Sequence, residues 1–136
     1  MSVTLAQMIA DARAVIGEIG PADAGAGIER GAVGVVLDVR EPQEFANEHL
    51  PGAVNIPRGL LELRADARSP GADASLTAKR SGRILVYCTR NPSARSLLAA
   101  RTLKDMGYEE VEVLAGGLIA WAEAGLPVEG AAEPGA

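Results

Sequence analysis

The residues best equipped for chemistry lie together in Val86-Tyr87-Cys88-Thr89-Arg90-Asn91-Pro92-Ser93-Ala94-Arg95-Ser96. An apolar, β-branched stretch runs into the single cysteine of the chain, a short polar loop follows, and helix-forming sequence begins. In open α/β sheets, that carboxyl edge is where ligands bind. A helix start presents unpaired backbone N–H groups and a partial positive charge. Asn91 suits the N-cap and Pro92 the first helical position, which turns the amides of Ser93, Ala94 and Arg95 towards the sulfur. Arg90 and Arg95 add two fixed charges, and each of these features favours thiolate over thiol. The donors of Thr89, Arg90, Asn91, Ser93, Ala94 and Arg95 then form a cradle for an oxyanion beside Cys88. A lone cysteine at a strand end is otherwise a small buried hydrophobe; the loop and its arginines argue for a nucleophile.

Composition removes several other chemistries. With Cys88 the only cysteine, no intrachain disulfide forms, and with His49 the only histidine, no zinc site of Cys and His ligands can be built. Nucleophilic chemistry at a thiolate requires no metal or organic cofactor, so none is expected. The chain has 136 residues, with 18 acidic against 13 basic side chains and a net charge of −5. That balance argues against nucleic acid or an anionic membrane as partner, because phosphate neutralisation needs clustered Lys and Arg. The length suits one domain, expected over 1–130 with a weak tail at 131–136. Aromatic residues are only 3% of the chain, so the core must be built from Ala, Val, Leu and Ile. No basic leader precedes an apolar run, and no apolar run approaches the roughly 18 residues of a membrane helix. A cytoplasmic protein is expected.

Apolar periodicity sets out the elements that must hold this loop. Leu5, Met8, Ile9, Ala12, Val15, Ile16 and Ile19 recur at helical spacing, predicting a helix over 4–19 with Thr4 as N-cap and Gly20-Pro21 as its stop. Pro21 to Gly31 reads as a small-residue connection. Val33 to Val39 and Arg83 to Cys88 read as strands buried on both faces, as in a parallel sheet. Glu41 to Ala46 is a short helix start, Ala53 to Ile56 a short strand, and Leu60 to Arg64 one or two helical turns. Ser69 to Gly82 reads as a long surface loop and the place for disorder. A helix over 92–106, a strand over 110–114 and a last helix over 117–124 complete an α/β plan around a parallel sheet, and Glu129 to Ala136 forms the tail.

Four blocks, in order, resemble the rhodanese (sulfurtransferase) domain family. They are Leu37-Asp38-Val39-Arg40-Glu41-Pro42-Gln43-Glu44-Phe45, His49-Leu50-Pro51-Gly52-Ala53-Val54-Asn55-Ile56-Pro57, Val86-Tyr87-Cys88 and Leu114-Ala115-Gly116-Gly117-Leu118-Ile119-Ala120-Trp121. The resemblance implies a single-domain α/β fold with about five strands, mostly parallel, and helices on both faces. It implies that Cys88 takes the outer sulfur of a donor such as thiosulfate, becomes a persulfide, and passes that sulfur to a thiol, a protein or another nucleophilic acceptor. The departure is in the loop. Sulfurtransferase members usually read Cys, four residues, Arg, with a central glycine, and phosphatase-like or arsenate-reductase-like members have one residue more. Here six residues separate Cys88 from Arg95, none is glycine, and Pro92 removes one amide from the cradle. The match of Arg95-Ser96 and Ala99-Ala100 to the family's helix start argues for a two-residue insertion; an ungapped alignment instead puts Ser93 where the arginine belongs. Two alternatives to sulfur transfer stay open. One is phosphatase or arsenate-reductase-like chemistry in the enlarged loop, with Asp38 or Glu41 as the general acid that a phosphatase needs. The other is a sulfur-carrying or oxidant-sensing module without efficient turnover.

Other residues have plainer readings beside functional ones. Asp38 and Arg40, at the end of a central strand, either orient the loop from behind or form a strand-end turn with an Arg40–Glu44 pair. His49 belongs to its turn, because an ionised thiol needs no base. Gly116-Gly117 reads as a tight turn rather than a phosphate cradle, and Trp121 as core packing. Arg58, Arg64, Arg68, Lys79, Arg80 and Arg83 form a solvated surface, some of them available to rim the pocket.

Overall fold

The computed structural model describes residues 2–130. Its centre is a sheet of five parallel strands: β1 (Gly17–Ile19), β2 (Val35–Asp38), β3 (Val54–Asn55), β4 (Arg83–Tyr87) and β5 (Glu110–Leu114), in the order β1-β5-β4-β2-β3. Every pairing is parallel, where the sequence implied a mostly parallel sheet. The central strands explain the arrangement. Successive side chains point to opposite faces. Val35, Leu37, Val39, Ile84, Val86 and Cys88 therefore enter one buried cluster, and Val36, Leu85 and Tyr87 enter the other. Both faces need cover, and crossover helices supply it.

The first face is covered by α1 (Leu5–Val15), α4 (Leu61–Ala65), α5 (Ala74–Thr77) and α6 (Ala94–Asp105), through Ile9, Ala12, Leu61, Ala65, Leu76, Leu97, Ala99, Ala100 and Leu103. The second is covered by α2 (Pro21–Glu29) and α7 (Gly117–Glu123), through Ala24, Leu118 and Trp121. The remaining helix, α3 (Pro42–Asn47), follows β2 directly. A 3-10 turn, Arg58–Leu60, leads into α4. Trp121 packs as core, with its indole N–H donating to the Pro127 carbonyl at 2.8 Å.

Several expected elements shift. The first helix is capped by Thr4 in a reciprocal capping box with Gln7, but it ends at Val15. Ile16 turns extended, and Gly17–Ile19 pairs with β5 as the edge strand. The apolar spacing that continued to Ile19 belongs to two elements. The connection expected over 21–31 is mostly α2, with Pro21 at its first turn. Its glycines argue against a helix locally, but Ala24 and Gly27 form a small buried face. The loop over 69–82 contains α5, capped by Asp73 accepting from the Ser75 amide at 2.9 Å and anchored by fully buried Leu76. Glu129, expected in the tail, exchanges backbone hydrogen bonds with His49 at 2.8 Å each. The tail residues 131–136 lie outside the described residues.

Candidate active site

β4 delivers Cys88 to the carboxyl edge of the sheet, on the face covered by α6. The loop is pinned from two sides. The Leu118 and Ile119 amides of α7 donate to the Cys88 and Thr89 carbonyls at 3.0 Å each. Gly117 makes this approach possible: a Cβ there would stand 2.5 Å from the Cys88 carbonyl oxygen, and its φ is +59°. Gly116-Gly117 is thus a tight turn whose second glycine lets α7 touch the loop backbone. From the other side, Arg13 of α1 donates to the Pro92 carbonyl at 3.1 Å.

The helix start departs from the sequence expectation. The Ser93 amide donates to the Arg90 carbonyl at 2.9 Å, closing a turn across Pro92. Ser93, not Asn91, is then the N-cap of α6, in the left-handed region at φ 61° and ψ 32°, and Pro92 precedes the helix. Ser93 is fully buried, its hydroxyl has no hydrogen-bond partner, and its amide is used within the loop. It contributes no donor to the cradle. Among the described residues, the amides of Thr89, Arg90, Asn91, Ala94, Arg95 and Ser96 donate to no backbone acceptor, as the first turn of a helix requires of its members.

The loop and helix start border a cavity of about 430 Å³ lined by Glu44, Cys88, Thr89, Arg90, Asn91, Pro92, Ala94 and Arg95. Of the anticipated site residues, Cys88, Thr89, Arg90, Asn91, Ala94 and Arg95 come together here. Ser93 sits buried outside the lining, so the geometry favours the gapped alignment with Arg95. None of the six cations Arg58, Arg64, Arg68, Lys79, Arg80 and Arg83 lines it. Arg58 pairs with Glu62, Arg68 with Asp66 and Arg83 with Glu112.

Asp38 and Arg40 lie behind the site, fully buried or nearly so. The expected Arg40–Glu44 pair does not form. Arg40 folds back on Asp38, donating from Nη2 at 2.8 Å and from Nε at 3.1 and 3.2 Å, and donates again to the Glu48 carbonyl. The Asp38 carboxylate also accepts from the Arg40 amide at 2.9 Å, so its hydrogen bonds go to Arg40 rather than to the Cys88 loop. A charge this deep needs a partner at close range, and the turn after β2 provides one. Burial, with Asp38 beside it, pushes the Tyr87 phenol well above its ordinary range. Its oxygen accepts from the Leu50 amide at 3.1 Å. His49 stays in its turn, stacked on Phe45 with Nδ1 2.8 Å from the Phe45 carbonyl.

Two residues were missed. Glu44 reaches across the cavity mouth to Arg95, with oxygen–nitrogen distances of 2.8 and 3.3 Å, and Arg95 also donates to the Thr89 hydroxyl at 2.9 Å. The Arg95 hydrogen bond lowers the Glu44 carboxyl to about 2, against the opposing effect of burial. The same bond raises the Arg95 guanidinium above its ordinary value. Ser96 is the other. Its hydroxyl lies 3.3 Å from the Cys88 sulfur and 3.0 Å from the Ser93 carbonyl. A hydroxyl so placed accepts from a thiol while donating to the carbonyl, or donates to a thiolate. Its signal was its position directly after Arg95, on the buried side of the first turn.

Comparison with known proteins places the chain in a family. Residues 20–124 match the sequence model of the rhodanese-like domain, so the chain belongs to the rhodanese family. A sulfurtransferase from Allochromatium vinosum is 33% identical over 94 residues, covering 69% of this chain and 77% of that protein. An uncharacterized Synechocystis protein is 37% identical over 93 residues; the match takes in 68% of this chain and only 45% of that longer protein. Among solved structures, a Rhodopseudomonas palustris protein described as a possible tyrosine phosphatase superposes with a TM-score of 0.85 at 34% identity, covering 95% of this chain and 96% of that one.

Proposed function

We propose that this chain transfers sulfane sulfur through a persulfide on Cys88. The observation that carries the proposal is the single cysteine at the end of β4, lining a cavity with Arg95 and with loop and helix-start residues whose amides donate to no backbone acceptor. With thiosulfate as donor, those amides and Arg95 hold the sulfonate oxygens. The Cys88 thiolate attacks the outer sulfur in line. A new S–S bond forms, and the bond to the sulfonate sulfur breaks with its electron pair departing on sulfite. Thiolate and thiosulfate dianion thus become persulfide monoanion and sulfite dianion, with charge conserved. A nucleophilic acceptor then takes the terminal sulfur; with cyanide, a C–S bond forms, the S–S bond breaks, and thiocyanate leaves the thiolate restored. The same cradle carries the negative charge of the persulfide between the two steps.

The test is thiocyanate formation from thiosulfate and cyanide, abolished in Cys88→Ser. A second reading is favoured by the likeness to the Rhodopseudomonas palustris protein and by the enlarged loop: phosphate-ester hydrolysis through a phosphocysteine. Turnover of an aryl phosphate without thiocyanate would decide for it. A reactive Cys88 that turns over neither substrate would instead mark a carrier or sensor.

A further inference from the structure

Glu44 is fixed rather than passing. Its carboxylate accepts from the Glu41 amide at 3.0 Å in the capping box of α3, and both oxygens engage the Arg95 guanidinium. Yet it lines the cavity together with Cys88. With Cys88 as the attacking thiolate of the reaction proposed above, the formal charges on the cavity wall are Arg90 and Arg95 against Glu44 and the sulfur, two of each sign. A ligand's second negative charge finds no net attraction here, while it costs more to desolvate than the first.

We propose that Glu44 is a specificity-determining residue: by neutralising Arg95 at the cavity mouth, it selects sulfur-bearing ligands with a single negative charge over dianions. The inference rests on the cavity being the donor site proposed above. It leaves thiosulfate a substrate, and makes it a weakly held one. A fixed unit charge acts on a ligand in proportion to the ligand's own charge. Removing Glu44 must therefore raise affinity for a dianion by the square of the factor gained by a monoanion of the same shape. A residue that merely shaped the pocket or held Arg95 still would not produce that scaling.

Sulfate and methanesulfonate present the same face of sulfonate oxygens with charges of two and one. The experiment measures how each protects Cys88 from iodoacetamide, a neutral reagent, at constant ionic strength. In the wild type, sulfate is expected to protect no better than methanesulfonate. In Glu44→Gln, methanesulfonate should gain about threefold and sulfate about tenfold, while Glu44→Asp, which keeps the charge, retains the wild-type ratio. Thermal melts of both variants check the fold, and if Glu44→Gln does not fold, the wild-type ratio decides alone. A tenfold wild-type preference for sulfate, equal gains for both anions, weaker binding in Glu44→Gln, or no protection by either anion would each overturn the proposal. Protection reads binding and not turnover. Charge scaling without thiocyanate formation therefore defeats the sulfur-transfer reading alone, and thiocyanate formation without charge scaling defeats the role of Glu44 alone.

Discussion

Arg40 and Asp38 are the deepest charges near the site, and each is the other's main partner. Replacing Arg40 with Ala strands the Asp38 carboxylate in the interior and is expected to destabilise the chain by about 3–5 kcal/mol in urea unfolding. A loss below about 1 kcal/mol would mean that Asp38 has another route to compensation. The exposed pair at the cavity mouth behaves differently. Glu44 titrates near 2 in the folded chain against 4.5 ordinarily, so its contribution is complete above pH 4.5 and is lost as pH falls towards 2. Glu44 and Arg95 side chains are 37% and 41% exposed, which screens the pair to roughly 1 kcal/mol. Glu44→Gln should therefore be less stable than wild type at neutral pH, with the gap closing through the acid range. A gap that stays constant with pH would remove the ion pair as its cause.

At the scale of elements, the sharpest prediction concerns the start of α6. Ser93 holds a left-handed conformation, which disfavours an L-residue by about 1–2 kcal/mol, and its buried hydroxyl is unpaired. Glycine relieves both, against its larger conformational entropy in the unfolded chain. Ser93→Gly is expected to raise stability by about 1 kcal/mol, read as a higher denaturation midpoint with an unchanged slope. A lower midpoint would show that the hydroxyl contributes to the fold. This cap was not legible in sequence: Asn91-Pro92 has the composition of a helix start, and only the closed turn from Ser93 to Arg90 delays it. By contrast, β2 and β4 were legible because strands buried on both faces need continuous apolar residues. β1 was hidden inside a helical apolar pattern, and α2 inside glycines and alanines that look like a connection. The Arg95 and Glu44 pairing joins residues 51 positions apart, and local spacing instead suggested Arg40 as the partner of Glu44.

For the whole molecule, the parallel sheet converts sequence parity into chemistry. Ile84 and Val86 of β4 and the Cys88 that follows it enter the same buried cluster, so the sulfur lies against α6, while α1 and α7 fix the loop from either side. The nucleophile and most of its surroundings could be located from the strand, cysteine, loop and helix order, which is local. The carboxylate across the mouth could not, because it arrives on α3 from a different crossover. Sulfur transfer through Cys88 makes one chemical species unavoidable: a cysteine bearing an extra sulfur atom. Intact mass measurement of the protein after exposure to thiosulfate should show the addition of one sulfur, located at Cys88 by peptide mapping, removed by cyanide and absent in Cys88→Ser. A protein that produces thiocyanate but never carries that added sulfur on Cys88, or that carries it equally in Cys88→Ser, would contradict the account.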